Sequence, residues 1–104
     1  MMSAQPVPTS ALRPLGDPAA LVGQWVRVYD DGTVGLLLAA DDTSWSLRTP
    51  VGERSGFGRL VAEPVTTRSQ AGPVRRRLRA MMDDPGFPAS EDLDLLDLQL
   101  AAHP

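Results

Sequence analysis

The chain has 104 residues, 42% of them apolar and 22% charged, with a net charge of −3. That is about one domain's length of ordinary globular sequence, and it excludes a disordered polyelectrolyte. The absence of cysteine excludes disulfides and thiolate metal sites and removes any need for an oxidising compartment.

Ten prolines and nine glycines favour turns and short strands over long helices. The longest apolar run, Val34–Ala40, is far short of the roughly 20 residues that cross a bilayer. The chain does not open on a basic start followed by an apolar run, so no signal peptide is expected and residence is expected to be cytoplasmic. Lys, Ile and Asn, whose codons are AT-rich, are missing, which points to GC-rich coding DNA of bacterial type. In such a composition arginine replaces lysine, so arginine abundance by itself says little about partners.

Residues 1–20 carry Pro6, Pro8, Pro14 and Pro18 among small and polar side chains and read as a proline-rich arm. Leu12 and Leu15 are placed to pin its end. Residues 21–66 change character. The stretch 22–29 is rich in β-formers, with Val26 and Val28 alternating against Trp25, Arg27 and Tyr29. Asp30-Asp31-Gly32 predicts a tight turn, 33–40 a central strand apolar on both faces, Asp41-Asp42-Thr43 a second turn, and 44–49 a third strand. Pro50-Val51-Gly52 is expected to break that strand, and 57–65 to form another, entered through Gly56 and Gly58, with Pro64 near its end. Four or five short strands joined by tight turns predict a mainly β (α+β) fold. The expected form is a small antiparallel β-barrel or strongly bent sheet, Src-homology-3-like in size alone.

Residues 67–104 read as a linker and two short helices. Pro73 is placed as a first helical residue, and Val74, Leu78, Met81 and Met82 then share a stripe to about residue 83. Pro85-Gly86 stops it. Ser90 is placed as the N-cap of the second helix, with Glu91 and Asp92 near its positive end. Leu93, Leu96 and Leu100 share one face there. They either dock on the barrel or lie in a partner's groove.

Chemistry is poorly supplied. The single histidine is His103, and no carboxylates are spaced as a metal loop. Asp30-Asp31 and Asp41-Asp42 are explained by turn preference. Ser55-Gly56 lacks the flanks of a nucleophile elbow, and Gly56-Phe57-Gly58 lacks the third glycine of a dinucleotide site. No cofactor, metal, small-molecule substrate, membrane contact or catalytic residue is expected.

Two surfaces stand out. Trp25, Arg27 and Tyr29 share one strand face, joined by Trp45 if the third strand lies close, and such residues dominate binding hot spots. The other reading of Trp25 and Tyr29 is a second small core beneath the arm or a helix. With Leu93, Leu96 and Leu100, this set predicts a non-catalytic interaction module with a protein partner or a second copy, as an accessory or adaptor subunit. The alternative is nucleic-acid binding through Arg68, Arg75, Arg76, Arg77 and Arg79, whose guanidinium groups can neutralise phosphates. The acids downstream of them can pair with the same arginines.

Overall fold

The structure, a computed structural model, describes residues 17–103; Pro6, Pro8, Leu12, Pro14 and Leu15 of the expected arm lie outside them. Asp17 opens a 3-10 turn, Pro18–Leu21, by accepting the Ala19 N–H on its carboxylate at 3.0 Å. Five strands follow: β1 Trp25–Val28, β2 Val34–Ala40, β3 Ser44–Thr49, β4 Gly52–Phe57 and β5 Ala62–Pro64. Helices α1, Arg68–Ala80, and α2, Ala89–Ala101, complete the chain.

The strands form one antiparallel sheet in the order β4-β3-β2-β1-β5. Its ladder does not close, because β4 and β5 are its two edges. The fold is therefore α+β, and in place of a closed barrel there is an open five-stranded sheet followed by two helices. The β2–β3 register shifts between Leu37 and Ala39, a bulge that increases twist.

The turn chemistry follows the acids. Asp31 accepts the Thr33 N–H at 3.0 Å, and Gly32 takes the positive φ that closes this turn. Asp41 accepts the N–H groups of Thr43 and Ser44 at 2.7 and 2.9 Å. These bonds hold both carboxyls below their ordinary range. For Asp31, bonding to Thr33 and then Arg54 brings the pKa to about 2.

Three sequence expectations need correction. The third strand does end at Thr49, but Pro50 and Val51 form a two-residue hairpin loop and the next strand starts at Gly52 rather than at 57, with Thr49 Oγ1 donating to the Gly52 carbonyl at 2.6 Å. The sequence of β4, Gly-Glu-Arg-Ser-Gly-Phe, has no apolar alternation, since this edge strand is exposed over most of its length. The stretch 57–65 accordingly splits into the end of β4, a loop and the short β5. Second, α1 begins at Arg68 rather than at Pro73, and the supposed linker is its first turn. Thr67 caps the Gln70 N–H, and the Gln70 side chain returns to the Thr67 N–H, a reciprocal box that nucleates the helix ahead of Gly72 and Pro73. Third, α2 begins at Ala89, with Pro88 rather than Ser90 at the cap position and no side-chain cap bond.

Both faces of the sheet bury apolar residues. On one, Trp25, Leu36 and Val65 pack against Ala71 and Leu78 of α1 and Ala89, Leu93, Leu96 and Leu100 of α2. Val26, Val28, Leu37 and Leu47 form the other cluster with Leu60 and Ala62, flanked by Leu21, Ala40 and Trp45. Among the described residues no helix is long and apolar enough to cross a membrane.

Candidate interaction site

Alternation along β1 sends Trp25 and Arg27 to the helix-covered face and Val26 and Val28 to the other. Trp25 is 0% exposed. Its indole N–H donates to the Asp92 carbonyl at 3.0 Å, and its backbone N–H and C=O bond the Gln99 amide at 2.8 Å each. The same amide N–H2 also donates to the Val65 carbonyl at 2.8 Å. A helix side chain thus supplies hydrogen bonds where β1 and the residue after β5 meet. Asp92, itself fully buried, accepts two bonds from Arg48, at 2.9 Å from Nε and 2.7 Å from Nη2. That pair raises the Arg48 pKa further, through the hydrogen bond to Asp92.

Trp25 is therefore removed from the expected contact surface. It is the centre of the helix–sheet core. The same correction covers Leu93, Leu96 and Leu100, which are all buried against the sheet; packing this face needs more apolar area than the strands alone carry. Arg27 is half-buried and pairs with Glu63 across the β1–β5 ladder at 3.5 Å.

Tyr29 and Trp45 do come together. They line an open groove of about 590 Å³ with Val28, Asp30, Phe57, Arg59, Leu60 and Val61. Trp45 faces Gly56 across the β3–β4 ladder, and its indole covers that glycine so closely that a Cβ there would lie 2.4 Å from the ring. Only glycine at 56 leaves the ring where it is. Phe57, the next residue, is 95% exposed, and Tyr29 and Val61 are exposed by 47% and 45%. The polar groups of the groove are largely tied down. The Tyr29 hydroxyl donates to Glu63 at 3.1 Å, which raises the phenol pKa, and Arg59 pairs with Asp42 at 2.8 Å. What the groove offers is aromatic and aliphatic contact area rimmed by one carboxylate and one guanidinium.

The sequence reading left out Phe57, Arg59 and Val61, which it placed inside a strand. A large aromatic between two glycines at a strand end was the available signal, because nothing on either side can shield it.

Of the arginine set, Arg75 is committed to Asp97 of α2, with Nε donating at 2.8 Å. Arg68, Arg76, Arg77 and Arg79 are exposed and make no ion pair among the described residues. They lie on α1, separate from the residues that line the groove. Among the described residues no group of three or more His, Asp or Glu is placed to hold a metal ion. Comparison with protein-family models, with curated proteins and with solved structures finds no match to this chain.

Proposed function

We propose that this domain is a non-catalytic protein-interaction module, an accessory or adaptor subunit of a larger cytoplasmic assembly, and that it presents the Tyr29–Trp45–Phe57 groove to its partner. The observation that carries the reading is Phe57. A phenylalanine exposed by 95% beside a half-exposed tyrosine and a tryptophan is apolar surface that this fold does not cover. Rigid aromatics on strands also lose little entropy on binding, which suits them to anchor a contact. The strand order and the apolar clusters on both faces support reading the sheet as a small Src-homology-3-like barrel left open between β4 and β5, with the groove lined from both sides of that gap.

The test is affinity capture from the host lysate with the wild-type chain and a Tyr29→Ser/Phe57→Ser variant, each with and without nuclease. One or a few proteins recovered in near-stoichiometric amount by the wild type, resistant to nuclease and lost with the variant, would support the groove. Equal recovery by both chains, or none by either, would overturn it.

A second reading, nucleic-acid binding through α1, is favoured by the four arginines that meet no carboxylate among the described residues. Binding of a duplex or single strand should then weaken steeply with salt, and alanine at Arg76, Arg77 and Arg79 should flatten that slope. Salt-independent or absent binding would remove this reading.

A further inference from the structure

The two edges of the sheet differ in what they offer to another strand. Residues of an antiparallel strand alternate between bonding their neighbour and turning N–H and C=O away from it. At the β5 edge, Tyr29 N–H donates to the Val61 carbonyl and Val65 N–H to the Trp25 carbonyl, so Ala62 and Pro64 are the outward residues. That strand has three residues, and Pro64 has no N–H to give. Short length and proline are how native proteins blunt an edge.

The β4 edge is not blunted in this way. Gly58 N–H donates to the Thr43 carbonyl, and alternation from there turns Glu53, Ser55 and Phe57 outward. The strand runs for six residues without proline, and no other strand among the described residues lies against it.

We propose that two copies of this chain join β4 to β4, antiparallel about a two-fold axis at Ser55, so that one sheet runs through the dimer. A two-fold axis across an antiparallel pair sets one residue opposite its own copy. Two such registers overlap five residues of β4, one centred on Arg54 and one on Ser55. The first faces a guanidinium with its own copy, and like charges directly opposite are destabilising. The second sets Ser55 against Ser55, Arg54 against Gly56 and Glu53 against Phe57, with no like charges opposed. Ser55 is also an outward residue, so the central pair is one that exchanges both backbone bonds. Arg54 leaves room for this, because its side chain is drawn back to Asp31 and Thr33 of its own chain. Phe57, the most exposed large apolar side chain among the described residues, gains a neighbour in the Glu53 stem of the second copy.

The chain's lack of cysteine makes the register directly readable. Opposed Cα atoms in such a pair lie about 5.5 Å apart, within disulfide reach. The Ser55→Cys variant should therefore cross-link to itself under mild oxidation. Glu53→Cys and Phe57→Cys should each stay free of cross-links alone, since each lies about 13 Å from its own copy, and should cross-link when mixed. Sedimentation of the wild type from about 10 to about 500 µM should show a mass rising toward two chains. Ser55→Pro should remain one chain throughout with an unchanged circular dichroism spectrum, because the N–H it removes points away from β3. If the proline variant does not fold, Ser55→Asp, which opposes two carboxylates at the axis, takes its place and should also remain one chain. A wild type that stays monomeric over this range, or a dimer that survives these substitutions, overturns the pairing. So does cross-linking of Glu53→Cys to itself in preference to Phe57→Cys. Capture of a partner in the groove is read separately, because Ser55 does not line it.

Discussion

The helix-covered face of the sheet and the groove face both begin as rows of alternating apolar residues, yet they are finished differently. On the first, Trp25 is sealed by two helices and tied in by hydrogen bonds: its indole N–H to the Asp92 carbonyl and its backbone to Gln99, while the Asp92 carboxylate holds Arg48. On the second, the cluster around Val26, Leu37 and Leu47 is closed by Leu21 of the 3-10 turn, by Leu60 of the loop between β4 and β5 and by the half-buried Trp45, with no α-helical residue in it. The lesson is that this domain devotes its C-terminal third to completing one face and closes the other with a turn, a loop and a tryptophan.

The largest effect is expected at Trp25. Replacing it with alanine removes the centre of the helix–sheet core and should cost about 4 kcal/mol, the usual range for a buried aromatic. Urea unfolding followed by circular dichroism checks this. A cost near zero would mean the helices do not depend on this face.

Asp92→Ala comes next, at roughly 3 kcal/mol, the low end for breaking a buried pair because Arg48 keeps some access to water. Asp92→Asn should recover part of the loss, since an amide keeps an acceptor for Arg48.

On the groove face, Gly56→Ala forces the Trp45 ring to move and should cost about 2 kcal/mol, as overpacking does. Fluorescence of a Trp25→Phe background reports Trp45 alone, because the chain has two tryptophans. An unshifted spectrum would show that the ring does not cover position 56.

The smallest effect is expected in acid. Asp31 has its folded pKa drawn down to about 2 by Thr33 and Arg54, and Asp41 is lowered by Thr43 and Ser44. A carboxylate with a depressed folded pKa stabilises above its unfolded value and loses that contribution as pH falls through the folded one. Wild-type stability should therefore decline between about pH 4 and pH 2 more steeply than that of Asp31→Ser. Parallel declines would remove the turn carboxylate from the account.

Much of the sheet was legible. Asp30-Asp31-Gly32 and Asp41-Asp42-Thr43 announce their turns because carboxylates accept nearby N–H groups, and β1, β2 and β3 carry β-formers between them. β4 was not legible. An edge strand that buries neither face has no period to read, and what makes it a strand is its ladder to β3. The start of α1 was misread for a related reason: Pro73 is a strong local signal, but the Thr67–Gln70 box and the burial of Ala71 outweigh it. Of the site, Tyr29 and Trp45 were found, whereas Phe57 was hidden inside a strand that the fold divides.

By itself the sequence determined which stretches alternate, where the chain turns, and that a leucine-rich C-terminal segment needs cover. Those are local consequences of side-chain chemistry and backbone geometry. Only the tertiary structure decided that the cover is the chain's own sheet, that Trp25 faces inward and that Tyr29, Trp45 and Phe57 meet in one groove. Period-two alternation tells which residues share a face, but which face is buried depends on the helix that arrives some 67 residues later, when Asp92 meets Trp25.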